Sequence, residues 1–249
     1  VFRFPDPRTE PWPLVYSPLP VTLVFTSYLS VVALGPSYLR HRRRLGLRAL
    51  LLIYSLAMVA LSSYMFYEAR RQDWLLGIQR VAGNVLILGK ALSAVPCAAQ
   101  QMARVCWWFF SEVLELLDAV FLILRKKQEQ VTFLHGSHHG SMLFSWWSGV
   151  KHVPGGQAFF IGMLNSFVHI FVYGYYALAS LGLRMCWHVW WKRYLAILQL
   201  CQFVAIAARS SYNLFTECPF PDGFNTSVFL HILALFLHFY YRTYARGKQ

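Results

Sequence analysis

Three histidines lie close together in an apolar stretch of the chain, in the sequence FLHGSHHGSM at positions 133–142. On a helix, His135, His138 and His139 share one face, because positions i, i+3 and i+4 fall within an arc of about 100°. Ionisable side chains are costly inside a membrane and usually have a function there. A neutral imidazole binds metal ions, attacks thioesters and transfers protons, so this face predicts a metal site or acid–base and nucleophilic catalysis. The alternative is that the three histidines have only a structural role and form separate hydrogen bonds within a helix bundle.

A metal site is the weaker of these interpretations. The spacing HxxHH is that of the histidine boxes in membrane desaturases and hydroxylases that bind two iron ions, and such a site takes its many ligands from two or three boxes. None of the remaining histidines belongs to a second box: they are His41, His152, His169, His188, His231 and His238. The sequence therefore favours catalysis by imidazole, which requires no metal and would use a second histidine and a carboxylate within reach.

The composition indicates that these residues belong to a membrane protein. Of the 249 residues, 57% are hydrophobic and 13% are Asp, Glu, Lys or Arg, which is about half of the share of roughly 25% in soluble domains. The net charge is +13, yet the basic residues alternate with long apolar segments. This pattern argues against nucleic-acid binding and for membrane topology, anionic lipid or a polyphosphorylated ligand. The five cysteines show no CxxC spacing, so no zinc or redox motif is expected.

Seven segments are apolar and long enough to span a bilayer, for which about 20 residues are needed. They are residues 20–37, 47–67, 105–124, 132–148, 156–181, 193–215 and 227–244. The stretch 81–96 is also apolar but contains two glycines, Lys90 and Pro96, and we interpret it as interfacial or re-entrant. Because we find no internal repeat and no second domain, residues 1–249 are expected to form a single all-α membrane domain.

Basic clusters predict the topology, because Lys and Arg are enriched in cytoplasmic loops. They occur in alternate loops: Arg40 with Arg42–Arg44, Arg125–Lys127, Arg184 with Lys192 and Arg193, and Arg242 with Arg246 and Lys248. The loop 216–226 contains no Lys or Arg. This alternation places the N-terminus in the lumen and the C-terminus in the cytoplasm. The basic residues of the long loop 68–104 weigh less, because long loops follow the rule less strictly.

Neighbouring segments supply groups that an imidazole catalyst would use. In the third segment, Glu115 and Asp118 share a face, and Asp118 is expected to hold the proton-bearing nitrogen of a box histidine and so fix its tautomer. A plain interhelical hydrogen bond is the alternative for these carboxylates. Four residues of the fifth segment lie roughly on one face: Asn165, His169, Tyr173 and Tyr176. In the sixth segment, Gln199 and Gln202 suit either the lining of a tunnel or bonds between helices.

Four motifs resemble those of the fatty acid elongases of the endoplasmic reticulum, the very-long-chain 3-oxoacyl-CoA synthases. They are ELLDAVFLILRKKQEQVTFLHGSHH (115–139), NSFVHIFVYGYY (165–176), WWKRYLAILQLCQF (190–203) and CPFP (218–221). PWPLVYSPLP (11–20) and GGQAFF (155–160) are similar to the branch that acts on very long and polyunsaturated chains. The resemblance covers nearly the whole chain, except for residues 68–104.

The resemblance implies an all-α fold of seven transmembrane helices in the endoplasmic reticulum membrane, six of them surrounding a closed-ended tunnel for the acyl chain. It implies condensation of a long-chain acyl-CoA with malonyl-CoA to give 3-oxoacyl-CoA, carbon dioxide and CoA, without a metal or another cofactor. It also implies that His138 is the nucleophile, which takes the acyl group as an acyl-imidazole, and that His169 is its partner across the tunnel. A homodimer and association with the other enzymes of the elongation cycle are compatible with it.

Three groups of site residues follow from the motifs and from this resemblance. The catalytic group consists of His135, His138, His139, Asp118, Asn165 and His169. The acyl tunnel is expected to include Glu115, Tyr173, Tyr176, Gln199 and Gln202. The phosphates of CoA are expected at a cytoplasmic tunnel mouth ringed by Arg125, Lys126, Lys127, Lys192, Arg193 and Arg242. A role in topology alone is the alternative for each of these cations.

The chain departs from the family pattern at several positions. Ala119 stands where the family usually has Thr, Glu112 where it commonly has Lys, and Gly136 and Ser137 where bulky residues are usual, while the region 81–104 is shortened and altered. All the box histidines remain, so these changes concern substrate choice and fine tuning rather than the reaction. The competing functions are a metal-dependent lipid oxidase, which would require a second box, and a non-catalytic lipid-binding or channel-like protein, which would not need the full set of histidines.

The family pattern also suggests a luminal disulfide between Cys97 and Cys218, both expected outside the membrane on the oxidising side. Cys106 is the alternative partner. Peptide mapping without reduction, on protein alkylated during isolation, should find Cys218 in a disulfide-linked peptide. A free Cys218 thiol in that experiment would rule the disulfide out.

Overall fold

Helices account for the secondary structure of the part of the chain that the computed structural model describes, which is residues 14–41, 46–86, 102–127, 133–152, 158–181, 188–215 and 223–245. These ranges contain seven α-helices and no strand. The helices are α1 Pro18–Tyr38, α2 Arg48–Leu86, α3 Met102–Leu124, α4 Phe133–His152, α5 Ala158–Ser180, α6 His188–Asn213 and α7 Gly223–Tyr240, followed by a π-helical turn, Tyr241–Ala245. The prediction of an all-α protein is confirmed.

Five helices are long and apolar enough to cross a membrane. They contain the spans Pro18–Tyr38, Arg48–Arg71, Phe160–Ser180, Trp191–Tyr212 and Gly223–Tyr244. The chain is therefore a multi-pass membrane protein. The two remaining helices coincide with the third and fourth predicted segments: α3 contains three acidic residues and α4 contains the three clustered histidines. The groups with potential chemistry are thus the same groups that lower the apolar character of these two helices.

Helix α2 is longer than its sequence predicted. The apolar segment was expected to end at residue 67, and 81–96 to be interfacial or re-entrant, but α2 continues to Leu86. Residues 81–86 are therefore part of a continuous helix, and 87–96 lie outside the described residues. A helix of 39 residues is about 58 Å long, compared with roughly 30 Å for the hydrocarbon layer. Since helical hydrogen bonds are internal, charged residues can end a membrane span without ending the helix.

Two hydrogen bonds fix which helix ends lie together. At one end of the bundle, Lys126 Nζ donates to the carbonyl oxygen of Arg40 at 3.1 Å, so the C-terminal ends of α1 and α3 meet. At the other end, Lys151 Nζ donates to the carbonyl oxygen of Tyr16 at 2.7 Å, which joins the end of α4 to the start of α1. These contacts agree with helices that alternate in direction. The two contacts are the same whichever end of the bundle faces the cytoplasm.

Helix α3 packs against both α4 and α5 through Trp108. The indole Nε1 donates to Ser166 Oγ of α5 at 3.0 Å, and the ring centroid lies 5.7 Å from that of Trp146 on α4. The ring lies so close to α5 that a Cβ atom at Gly162 would be 2.2–2.5 Å from three of its atoms. The missing side chain at residue 162 is therefore what allows the indole to lie flat against α5.

We predict that Gly162→Ala destabilises the protein by about 1–3 kcal/mol, because the added methyl group overlaps the Trp108 ring and forces it to move. Gly174→Ala on the same helix is the matched control, since a Cβ there meets nothing within 4 Å and alanine is a better helix former by roughly 0.5–1 kcal/mol. Thermal unfolding in detergent should separate the two variants. Equal transition temperatures would contradict the packing described here.

Candidate functional site

A buried carboxylate lies between two imidazoles at the centre of the bundle. Glu115 Oε1 is 3.0 Å from His169 Nδ1, and Glu115 Oε2 is 3.9 Å from His139 Nδ1. The Glu115 side chain is 1% exposed. It comes from α3, and the two histidines come from α4 and α5, so the contact joins three helices. A carboxylate in this position can orient an imidazole and stabilise a positive charge on it.

The three box histidines lie together on α4, as their spacing predicted. The ring of His139 is 4.5 Å from that of His135 and 5.2 Å from that of His138, measured between centroids. His138 is edge-on to Phe203 of α6 at 5.6 Å, and Glu115 connects the adjacent His139 to His169 of α5. The box therefore meets the histidine of α5 beside an apolar wall.

A chain of amide and carboxyl groups runs through the core beside this cluster. Gln202 Nε2 of α6 donates to Asn165 Oδ1 of α5 at 2.9 Å, and Asn165 Nδ2 is placed to donate to Glu112 Oε1 of α3 at 3.4 Å. All three residues are buried. Asn165, predicted as catalytic, and Gln202, predicted to line a tunnel, are thus parts of one network that joins three helices.

Asp118 lies in a different network from the one the sequence suggested. It was expected to hold a box histidine, but its Oδ2 accepts a hydrogen bond from the Tyr173 hydroxyl at 2.7 Å. The Tyr54 ring of α2 is edge-on to Tyr173 at 6.0 Å. The carboxylate beside the histidines is Glu115, one helical turn earlier. Spacing along α3 puts both acids on one face, and the packing of α4 against α3 decides which of them is level with the box.

The two remaining tunnel candidates lie at the edge of these networks. Tyr176 is 44% exposed, and its ring centroid is 5.9 Å from that of Tyr173. Gln199 is partly buried on α6, about one turn before Gln202. Their role in a tunnel stays a prediction.

Cations gather at the end of the bundle where α3 ends and α6 begins. Arg125 and Lys126 are partly buried, while Lys127, Lys192 and Arg193 are exposed. The surrounding protein removes part of the hydration of the Lys127 ammonium group and so lowers its pKa, and the nearby charges of Arg125 and Lys192 lower it further. Arg125 and Lys127, which follow α3, and Lys192 of α6 therefore form one positive surface that can bind an anionic group.

Two further features concern the predicted CoA-binding cations. Arg242 is exposed in the π-helical turn that follows α7. A cavity of about 450 Å³ opens beside the end of α1, lined by Pro36, Ser37, Arg40 and Lys126. Of the predicted CoA-binding cations, Lys126 thus also borders a cavity.

The predicted disulfide lies outside the described residues, since neither Cys97 nor Cys218 is among them. Cys106 belongs to the backbone of α3, and its side chain is not described. Cys201 on α6 is an exposed free thiol.

Glu112 also belongs to this site, although its sequence position did not lead us to predict it. The signal was its position three residues before Glu115, which continues the acidic face of α3 by one turn. Ligand-capable atoms of Glu112, Glu115 and His139 lie within 4.8 Å of one another, and all three residues are buried. A search for a second histidine box does not detect this set, because two of its three donors are carboxylates.

Comparison with known proteins agrees with the motifs. The model of the GNS1/SUR4 family (ELO) matches residues 13–249. "Very long chain fatty acid elongase 4" of Homo sapiens is 40% identical over 248 residues, which covers 98% of this chain and 77% of that protein. "Very long chain fatty acid elongase 7" of Drosophila melanogaster is 39% identical (98% and 75% covered), and "Very long chain fatty acid elongase 2" of Mus musculus is 38% identical (97% and 81%). The chain belongs to the GNS1/SUR4 (ELO) family, the family of the very long chain fatty acid elongases.

Proposed function

We propose that this protein is the condensing enzyme of fatty acid elongation, which joins a long-chain acyl-CoA to malonyl-CoA and releases carbon dioxide and CoA. The observation that supports it most is the contact of Glu115 with His139 and His169, next to His138, in a chain of the elongase family. The proposal includes residence in the endoplasmic reticulum membrane, with seven crossings, a luminal N-terminus and a cytoplasmic C-terminus. Six of the helices would surround a tunnel for the acyl chain.

The first step forms an acyl-imidazole. The unprotonated ring nitrogen of His138 attacks the thioester carbonyl carbon, the carbon–sulfur bond breaks, and CoA leaves with the electron pair. The other ring nitrogen of His138 loses its proton, which the neighbouring imidazole of His169 accepts and passes to the CoA thiolate. Glu115, 3.0 Å from His169 Nδ1, stabilises the positive charge that His169 has while it holds the proton.

The second step forms the new carbon–carbon bond. Malonyl-CoA loses carbon dioxide, and the electron pair of the broken bond stays on its C2 carbon. This carbon attacks the acyl carbonyl, the bond to His138 breaks, and the His138 nitrogen takes up a proton. The products are 3-oxoacyl-CoA and free His138, and the two steps together consume one proton and require no oxidant or reductant.

The surroundings of the histidines suit an intermediate that water would hydrolyse. Phe203 contacts His138 edge-on, and it packs in turn against Phe236 of α7 with ring centroids 5.1 Å apart. Such apolar walls exclude water from a reactive acyl group. The cations around Lys127 lie where α3 has just ended, so the phosphates of CoA would bind in water while the thioester reaches toward α4.

We predict that His138→Ala and His169→Ala each reduce condensation by about 10³-fold or more, because each removes a group that acts on the reacting atoms. His231→Ala, which removes an exposed histidine of α7, is the matched control and should retain normal turnover. The assay is formation of 3-oxoacyl-CoA from acyl-CoA and labelled malonyl-CoA by purified protein, with size-exclusion chromatography to verify folding. Near-normal turnover in either site variant would contradict the assignment.

The covalent step predicts a burst. Acyl-CoA alone should release at most about one equivalent of free CoA per active site, because deacylation requires malonyl-CoA. Mass spectrometry should find one acyl group on a peptide that contains His138, and His138→Ala should abolish both signals. If CoA appears only when malonyl-CoA is present and no adduct forms, condensation is direct and His138 acts as a base.

A further inference from the structure

We infer that Glu112, Glu115 and His139 form a binding site for one divalent cation of the zinc class, between α3 and α4. Their ligand-capable atoms lie within 4.8 Å of one another. The inference rests on three features of the described residues: the charge of the cluster, its unpartnered atoms and the chemistry of its donors.

The two buried carboxylates of the cluster must be neutralised, either by a bound cation or by protonation. Glu112 and Glu115 are each 1% exposed and lie one helical turn apart on α3. Among the residues that the structure describes, no lysine or arginine forms an ion pair with either carboxylate, and the ion-pair partners of Glu115 are two histidines. Buried charges in proteins are paired or coordinate metals, because an uncompensated buried charge is very costly. A divalent cation would neutralise both carboxylates at once.

Three atoms of the cluster have no hydrogen-bond partner. They are Glu112 Oε2, Glu115 Oε1 and His139 Nδ1, and all three are shielded from solvent. The other oxygen of Glu112 faces Asn165 Nδ2 at 3.4 Å, and Asn165 is itself fixed by Gln202. On Glu115, Oε1 faces His169, which leaves Oε2 on the side of His139. Each carboxylate therefore has one oxygen turned toward α5, and the second oxygen of Glu115 lies on the side of His139.

The donors favour zinc over the common alkaline-earth ions. Imidazole nitrogen and carboxylate oxygen are both zinc ligands, and three protein ligands are the number found in open zinc sites, in which water takes the fourth position. Calcium requires six to eight oxygen ligands, and magnesium prefers an octahedron of oxygens. Atoms bound to zinc lie roughly 3.3–3.6 Å apart in a tetrahedron. The distance of 3.9 Å between Glu115 Oε2 and His139 Nδ1 is close to that requirement.

The consequence for activity rests on the proposed function. A cation on Glu115 would neutralise the carboxylate that stabilises positive charge on His169, and it would restrain His139 beside His138. Binding is therefore expected to inhibit condensation. The cation would be a regulator or an inhibitor rather than a cofactor, and removal of metal with a chelator should leave condensation intact.

Direct binding is the test of the site. Full-length protein in detergent, stripped with a chelator, is dialysed against Zn²⁺ and analysed for bound metal. We expect one zinc ion per chain, with affinity reduced at least tenfold in Glu112→Gln and unchanged in Glu68→Gln, which neutralises a carboxylate outside the cluster that pairs with Arg71 at 3.8 Å. X-ray absorption of the wild-type complex should show nitrogen and oxygen ligands at about 2.0–2.2 Å, including one imidazole.

Two controls separate this inference from the proposed function. His138→Ala, which should not condense, is expected to bind zinc like the wild type. Zinc should lower the condensation rate at least tenfold in the wild type and much less in Glu112→Gln. Absence of stoichiometric binding, a site without imidazole in X-ray absorption, or equal affinity in wild type and Glu112→Gln would each overturn the site. Equal inhibition in both proteins would overturn the regulatory role.

Discussion

The structure depends on a buried carboxylate that has only histidines for ion-pair partners among the described residues. Glu115 lies on a helix in a membrane protein, where a charge without a partner is very costly. Its ion-pair partners are imidazoles from two other helices, His139 from α4 and His169 from α5. A shift of either helix by one turn would move its histidine about 5.4 Å and break the contact of that histidine with the carboxylate. The relative heights of α3, α4 and α5 are therefore restricted by one polar contact.

Helix α3 has this role at three successive levels. Glu112 faces Asn165, Glu115 faces His169, and Asp118 accepts from Tyr173, so one stripe of acids on α3 meets one stripe of polar residues on α5. Trp108 adds a fourth contact to α5 through Ser166. Polar groups between membrane helices each contribute modestly, but four contacts in register determine one alignment of two helices. The cost is an α3 too acidic to resemble an ordinary membrane span.

The site combines this polar stripe with apolar walls and a cationic end. Electrostatic interactions are stronger where water is excluded. Burial therefore makes the charge of Glu115 costly in free energy and also strengthens its electrostatic interaction with His169. Lys127 and its basic neighbours follow the end of α3 and offer a positive surface to an anionic group. Under the proposed function, reaction and binding of the CoA phosphates would take place at different levels of one helix.

The sequence by itself determined the helical class, the clustered face of His135, His138 and His139, the cationic helix ends and the family. These properties depend on local spacing and composition, which the chain contains without reference to its neighbours. Only the tertiary structure decided that Glu115 rather than Asp118 meets the histidines, that Glu112 joins them, and that α2 extends to Leu86. The acids of α3 share one face in any fold that keeps this helix. Their spacing does not show how far α3 is shifted along its axis relative to the neighbouring helices. That shift is set by contacts between residues distant in sequence, such as Trp108 against Gly162, and so it appears only when the helices are packed together.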